Sequence, residues 1–402
     1  MTPWSRRFAP QPGNIYTRQF EQAAQTSGPL SGLSVAIKDL YDVQGLPRIA
    51  SQLNNQALPP AEQNANAVQR LIDAGADLNG YTVSTQLAFS GIGQNPEYGV
   101  TQSLWAPDAE PRIAGGSTRG GALAVAAGFA DLALGTDTGG SCRIPAACNG
   151  LYGIKFSASQ VSLQGCQPLA TSLDSAGLMS ADSNTLRRAS QAMIGGAVPP
   201  VQGSQRFVVP AFAQLGIDPT VAAMFGDFLQ RLEQAGHQVI HDIQPSEIAY
   251  REALAMPPLA GIEAYRQFNG APLQAVTDPL VAQRIQAGGE HDEMVIEQVY
   301  ETRQRLRQAY AFERQDHWVL MPTLQDLPPR LSQIQTPEDF VAWNARMLRN
   351  SAYINLADGC AISAPLSAQI PVSVTLAGAS GQDLALWGLF DRLKPVIDGP
   401  AQ

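Results

Sequence analysis

Short apolar runs that suit strands alternate with helical patterns along much of this sequence. Residues 33–37 form a strand-like run, and the stretch 61–74 carries apolar side chains at helical spacing. Residues 77–82 again suit a strand, and an Ala-rich helical stretch at 122–130 leads into the apolar run "LALGT". Alternation of this kind is typical of a sheet layered by helices, so the sequence predicts an α/β fold.

The same alternation returns in the second half of the chain. Asp218 and Pro219 suit the N-cap and first position of a helix that follows a strand candidate at 207–210. "WVLMPT" at 318–323 and the run 370–376 are further strand candidates. No repeat divides the chain, and we therefore predict one domain over residues 1–402.

Residues 245–315 differ from the rest. Two stretches within them, around 247–256 and 294–314, have helical patterns, and prolines interrupt the connection. We predict a helical insertion here.

The bulk composition excludes several classes of protein. A chain of 402 residues, 45% apolar and with a net charge of −9, suits a globular protein and carries no basic run for a nucleic acid partner. No apolar stretch is long enough for a bilayer, so we expect no membrane partner. Residues 1–8 contain Arg6 and Arg7 without a following apolar run, which predicts no secretory signal.

The four cysteines carry no metal-type spacing. Cys142, Cys148, Cys166 and Cys360 form no Cys-x-x-Cys pair, and we expect free, mostly buried thiols in a cytoplasmic protein.

A Gly-rich segment at 115–142 holds the triplet Gly-Gly-Ser twice, ending at Ser117 and at Ser141. Both triplets could be turns, or both serines could belong to one catalytic centre. The second triplet lies in "GTDTGGSCRIP", which follows an apolar strand candidate. If Ser141 attacks a carbonyl, the backbone N–H groups of Thr138, Gly139, Gly140 and Ser141 are candidates for an oxyanion hole. A phosphate loop is disfavoured because Gly-Lys-Ser/Thr is absent.

A serine nucleophile needs a base, and the sequence leaves two types open. Gly-x-Ser-x-Gly is absent around Ser141, which disfavours a nucleophile elbow, although a histidine distant in sequence could still serve. Lys38 is the other candidate because it ends an apolar strand run. It would work if burial kept its amine neutral, whereas a strand-end lysine that reaches solvent would have no such role.

Three segments together resemble the amidase signature family. They are "AIKDLYDVQG" around Lys38, "GGSTRGGALAVAAG" around Ser117 and "GTDTGGSCRIPAACNGLYGIKFS" around Ser141, and the separation of the two serines matches that family. The resemblance extends over about residues 30–182, is recognisable again after 318 and does not cover the helical stretch between.

The resemblance implies a Ser-Ser-Lys triad. Ser141 would be the nucleophile, Ser117 a bridging serine after a cis bond from Gly116, and Lys38 the base. The implied reaction cleaves a small amide to a carboxylate and ammonia or an amine, without cofactor or metal. Asp137 and Arg143 would brace the loop.

The implied fold is a large mixed, mostly parallel twisted sheet covered by helices on both faces. Residues 245–315 would then cap the active-site cleft, and a homodimer is possible.

Departures from the family pattern leave the substrate open. Arg119 is the unusual residue after Ser117: it could form a surface ion pair, or bind a carboxylate-bearing or polar acyl group in the cleft. The family's acidic pair is replaced by Thr85 and Gln86. Two alternatives to an independent amidase remain: an ammonia-supplying subunit of a tRNA-dependent amidotransferase, and a catalytically silent scaffold.

Overall fold

The computed structural model describes residues 12–99, 102–105 and 110–399. Residues 1–8, where the sequence predicts no secretory signal, lie outside these ranges. One eleven-stranded sheet runs through the described residues in the order β1-β3-β2-β4-β6-β5-β10-β11-β9-β7-β8. Its strands are β1 Tyr16–Gln22, β2 Ser34–Lys38, β3 Asp77–Thr82, β4 Leu132–Thr136, β5 Tyr152–Lys155, β6 Ala176–Ser180, β7 Arg206–Val208, β8 Gln238–Ile240, β9 Trp318–Pro322, β10 Cys360–Pro365 and β11 Ser373–Gly378.

Helices connect and cover these strands. They are α1 Pro12–Ile15, α2 Asn66–Asp73, α3 Arg119–Ala127, α4 Arg143–Cys148, α5 Ser183–Ile194, α6 Pro219–Gln234, α7 Pro245–Leu254, α8 Leu259–Phe268, α9 Ala271–Gln274, α10 Pro279–Ala287, α11 Glu293–Glu313, α12 Pro337–Leu356 and α13 Asp383–Asp398. Within the described ranges, no helix is both long and apolar enough to cross a membrane.

The predicted α/β class with a mixed sheet is confirmed, but the expectation of a mostly parallel sheet is wrong. Six of the ten strand pairings are antiparallel. The reason lies in the connections: β10 and β11 are joined by residues 366–372 alone, and so short a link permits only an antiparallel pair. The parallel pairs β2–β3 and β2–β4 lie where the segments that hold Ser117 and Ser141 meet the sheet.

Helices cover both faces of the sheet, as expected. Side chains alternate along β2: Ile37 packs into a large apolar cluster with helices α2, α5, α6 and α13, whereas Ala36 lies in a second cluster with α3. Alanines on α3 let that helix lie close to the sheet, and Gly128, in the left-handed conformation, ends it.

Local sequence signals predict the bounds of most helices and strands to within a few residues. Asp218 caps α6 by accepting hydrogen bonds from the Thr220 and Val221 N–H groups, as predicted, and Pro219 is the first helical residue. The four cysteines are free, and all but the half-buried Cys166 are buried, which confirms that prediction.

The stretch 245–315 is helical and contains α7–α11. Leu259 and Ile262 of α8 and Val281 of α10 share an apolar cluster with Leu40 and Ala88. The helices therefore pack directly against the segments that follow β2 and β3.

Candidate active site

Lys38 and Thr136 lie at the carboxyl ends of the adjacent parallel strands β2 and β4, the edge at which open α/β sheets bind ligands. The Lys38 Nζ donates hydrogen bonds to Ser117 Oγ at 2.7 Å and to Thr136 Oγ1 at 2.8 Å. Lys38 and Ser117 are wholly buried. The sequence analysis did not identify Thr136, although its place at the end of "LALGT" was a usable signal.

Burial sets the charge state of the lysine. Desolvation lowers the pKa of Lys38 from its ordinary value of 10.5, and the negative charges around it, those of Asp39 and Asp174 included, oppose that shift without cancelling it. A lower pKa increases the neutral fraction of the amine, and a neutral amine can accept a proton.

Ser117 follows a cis Gly116–Ser117 peptide bond, as the resemblance implies. Its carbonyl accepts a hydrogen bond from the Thr85 N–H at 3.1 Å. A Cβ on Gly116 would come within 2.7 Å of the Gly93 backbone, so only glycine fits at this approach. The serine is therefore held from the sheet side by Lys38 and from the opposite segment by Thr85.

Ser141 lies at the end of the predicted anion loop. Within the described residues, the N–H groups of Thr138, Gly139, Gly140 and Ser141 donate no hydrogen bond to the protein. The Thr118 N–H donates to the Ser141 carbonyl at 3.2 Å, which joins the two serine segments through the backbone. No hydrogen bond between the two serine hydroxyls forms among the described residues.

A buried ion pair braces this loop, in the manner that the resemblance implies for Asp137 and Arg143. Arg143 donates from Nε and Nη2 to the Asp137 carboxylate at 3.1 and 2.9 Å, and Asn355 Nδ2 donates to the same carboxylate at 2.9 Å. Burial alone would raise the pKa of Asp137, but the charge and hydrogen bonds of Arg143, with the bond from Asn355, hold it well below its ordinary range. Asp137 therefore stays ionised and serves the loop.

Helix α12 supplies further support that the sequence analysis missed. Ser351 Oγ donates to the Gly139 carbonyl at 2.6 Å, and Asn344 Oδ1 accepts from the Gly91 N–H at 2.8 Å. Gly140 has φ +129°, and a Cβ there would meet the Ser351 hydroxyl at 2.1 Å. The loop and α12 thus fit together only with glycine at position 140.

Arg119 is wholly buried, so the expected surface ion pair is wrong. Its Nη1 donates to the Gly93 carbonyl at 2.6 Å and to the Gly99 carbonyl at 3.1 Å, and Nη2 donates to the Tyr98 carbonyl at 3.5 Å. Burial lowers the pKa of Arg119 to about 9, which leaves it charged at pH 7. Direct substrate binding by Arg119 stays a prediction. The hydrogen bonds to backbone carbonyls argue against it, because the guanidinium group already holds the loop beside Gly116.

We expect the Arg119→Met substitution to lower the free energy of unfolding by about 3 kcal/mol, because it leaves buried carbonyls without a donor. Urea unfolding measures the loss, and Arg392→Met, at an exposed position on α13, is the matched control. A loss no larger than that of the control would contradict the assignment of Arg119 as a loop anchor.

A second buried carboxylate supports the segment after Lys38. Asp39 accepts hydrogen bonds from the Ser51 N–H at 2.8 Å, the Ser51 hydroxyl at 2.7 Å and the Ser84 hydroxyl at 3.2 Å. Asn95 Nδ2 donates to the Ser51 and Ser84 carbonyls. Desolvation raises the pKa of Asp39 to about 6. This network joins three loops around the lysine.

Gln86, one of the departures from the family pattern, connects the site to the helical stretch. Its Oε1 accepts from the Thr277 and Asp278 N–H groups at 3.1 and 2.9 Å, and its Nε2 donates to Thr277 Oγ1 at 2.6 Å. The preceding residue is Thr85, whose N–H binds the Ser117 carbonyl. Arg284 of α10 adds a bond to the carbonyl of Phe89 and stacks on its ring.

We expect Gln86→Ala to lower the free energy of unfolding by about 2 kcal/mol, since it removes three buried hydrogen bonds. Hydrogen exchange should also become faster in α10. Gln234→Ala, at an exposed position of α6, is the control and should change neither quantity. Unchanged exchange in α10 would show that Gln86 does not tie the helices to the site.

A cavity of about 420 Å³ lies beside the lysine. Thr136, the hydroxyl partner of Lys38, is in its wall, as is Asp174, which accepts a 2.6 Å hydrogen bond from Thr138 Oγ1. Its size suits a small organic molecule. The two serines are not in its wall, and the cavity meets the site at Thr136 and at Asp174, the hydrogen-bond partner of Thr138.

A buried lysine that is hydrogen-bonded to a serine thus lies beside a loop whose N–H groups have no hydrogen-bond partner among the described residues. The chain belongs to the amidase family, whose Amidase model matches residues 14–386. Relatives named as amidases match it over most of its length, and this protein is an amidase-family enzyme.

Two curated relatives and one solved structure illustrate the kinship. The 2-amino-5-chloromuconic acid deaminase of Comamonas testosteroni is 35% identical, over 93% of this chain and 83% of that protein. Amidase 1 of Oryza sativa subsp. japonica is 30% identical, over 92% of this chain and 91% of that protein. A crystal structure of an amidase superimposes with a TM-score of 0.77 at 30% identity, over 91% of this chain and 85% of its own.

Proposed function

We propose that this protein hydrolyses a small carboxylic amide to a carboxylate and ammonia or an amine, through an acyl-enzyme on Ser141. The observation that carries the proposal is the 2.7 Å hydrogen bond between the buried Lys38 amine and Ser117, whose segment is bound through Thr118 to Ser141.

The first step is attack of Ser141 Oγ on the amide carbonyl carbon. As the new C–O bond forms, the Ser141 proton passes to Ser117 Oγ, and the Ser117 proton passes to Lys38 Nζ. The lowered pKa of Lys38 supports this role, because the amine must be neutral before the step. The oxyanion and the protonated lysine then balance in charge.

The second step breaks the C–N bond. The unpaired N–H groups of residues 138–141 stabilise the oxyanion, and one such donor contributes about 3 kcal/mol to typical acyl-transfer transition states. The leaving nitrogen takes the proton back from Lys38 through Ser117. Water then attacks the ester by the same proton route and releases the carboxylate.

Residues 245–315 would form a helical cap over the cleft. The bonds of Gln86 to Thr277 and Asp278 support this role, because they fix α10 against the segment that holds Ser117. A homodimer and a cytoplasmic location stay predictions.

Trapping of the acyl-enzyme tests the proposal. Hydroxylamine should intercept the acyl group, so incubation with small aliphatic and aryl amides should yield ammonia together with the matching hydroxamate. Ammonia without hydroxamate would contradict the acyl-enzyme. Ammonia release that depends on added subunits would favour the amidotransferase alternative, and no release with any amide would favour the silent scaffold.

A further inference from the structure

Among the described residues, the wall of the cavity beside Lys38 offers no positive partner for a carboxylate. Its wall includes the apolar side chains of Leu40, Ala88 and Leu169 and the amides of Gln164 and Gln167. Within the described part of the chain, Asp174 is the one charged side chain of that wall. Burial raises the pKa of Asp174 to about 6, so the carboxylate is ionised at pH 8.

Several arginines near the site already bind protein groups. Arg143 forms two hydrogen bonds with the Asp137 carboxylate. Arg119 binds carbonyls of the 93–99 loop, and Arg284 stacks on the ring of Phe89. Arg48 pairs with Asp42 and is not in the wall. Lys38 must be neutral to act as a base, so its amine cannot serve as a permanent counter-ion.

From these charges we propose that the site takes amides with small, uncharged acyl groups and disfavours those with a second carboxylate. The inference rests on the proposed function. A substrate carboxylate in the cavity would lose its water, meet no cation and lie near the ionised Asp174, and each of these effects raises its free energy. A neutral amide or ester group of the same size would meet Gln164, Gln167 and Thr171, which can donate or accept hydrogen bonds.

The proposal separates this chain from a relative of similar sequence. The substrate in the name of the Comamonas testosteroni deaminase, 2-amino-5-chloromuconic acid, is an acid. Overall identity of 35% would suggest an acidic substrate here too, whereas the cavity wall favours a neutral one.

An isosteric pair of substrates tests the charge preference directly. Succinamide and succinamate differ only in a distal NH2 group that is replaced by O⁻. At pH 8 we expect kcat/KM for succinamide to exceed that for succinamate by about tenfold or more, after the statistical factor of two for its two amide groups. Equal values, or a preference for succinamate, would overturn the proposal.

A positive charge placed in the wall should weaken or abolish the preference for the neutral amide. Gln167 is half-buried in the wall, and Gln167→Arg should reduce the succinamide-to-succinamate ratio about tenfold by supplying the missing cation. Gln234→Arg makes the same charge change on the exposed side of α6 and should leave the ratio unchanged. An equal shift in both variants, or none in Gln167→Arg, would contradict the assignment of this cavity to the acyl group.

The kinetics also separate failure of this inference from failure of the proposed function. Hydrolysis of both amides with a preference for the acid leaves the amidase proposal standing and removes the charge inference. Hydrolysis of neither, together with no hydroxamate from any amide, removes both.

Discussion

Replacing Ser141 with alanine is expected to lower kcat for amide hydrolysis by about 10⁴-fold or more, because under the proposed mechanism the variant has no atom to carry the acyl group. Ser141 is buried, and serine and alanine differ by a single hydroxyl oxygen. The melting temperature should therefore change by only a few degrees. Steady-state ammonia release and a thermal melt on the same preparation measure the two quantities.

The matched control for this variant is Ser204→Ala, at an exposed serine that donates to the Gly236 carbonyl. It should retain wild-type kcat. Activity in Ser141→Ala within tenfold of the wild type would contradict the assignment of the nucleophile. It would favour the alternative that the two Gly-Gly-Ser triplets are only turns.

Replacing Lys38 with methionine is expected to lower kcat by about 10³-fold, since methionine keeps roughly the length of the side chain and removes the proposed base. In the wild type, kcat should rise with pH through the lowered pKa of Lys38 and then level off. The variant should lose this rise. A pH profile that persists in Lys38→Met would assign the base elsewhere, and loss of activity on replacing a histidine would favour the histidine alternative.

The same lysine makes stability depend on pH. Its pKa is lower in the folded protein than the ordinary 10.5, so between these two values the unfolded chain binds a proton that the folded protein does not. The free energy of unfolding therefore gains a rising contribution with pH across that window, constant below it and above 10.5. The free energy of unfolding, measured with urea at several pH values, should rise more steeply with pH across this window in the wild type than in Lys38→Met. An equal dependence on pH in the two proteins would mean that Lys38 is protonated in the folded state.

Much of the sheet could be predicted because its strands and helices carry local signals. Asp218 and Pro219 mark the start of α6 without reference to any other part of the chain. Strand direction carries no such signal. Whether β6 lies antiparallel beside β4 depends on the path of residues 137–175, which include α4 and β5, and this explains the wrong expectation of a mostly parallel sheet.

Helix α12 shows where apolar periodicity fails. Its buried positions include Asn344, Asn350 and Asn355, so the helix face toward the site is partly polar and gives a weak helical pattern. The usable signal was the capping box, in which Thr336 and Asp339 exchange hydrogen bonds at the start of the helix.

Some site residues could likewise be predicted from sequence motifs, whereas the surroundings of others could not. Lys38, Ser117 and Ser141 were found because their motifs have a fixed order and spacing in the family. The structure brings Lys38 and Ser117 into hydrogen-bonding distance. For Arg119 the sequence left a surface ion pair and a cleft position open, because nothing local indicates that the 93–99 loop covers it.

Covalent labelling tests the central claim, that Ser141 is the nucleophile, most directly. A fluorophosphonate should modify one serine, and trypsin would separate the candidates: Ser117 lies in the fragment 113–119, whereas Ser141 is the one serine of the fragment 120–143. We predict a single label on fragment 120–143 that is absent from Ser141→Ala. A label on fragment 113–119, or one that persists in Ser141→Ala, would contradict it.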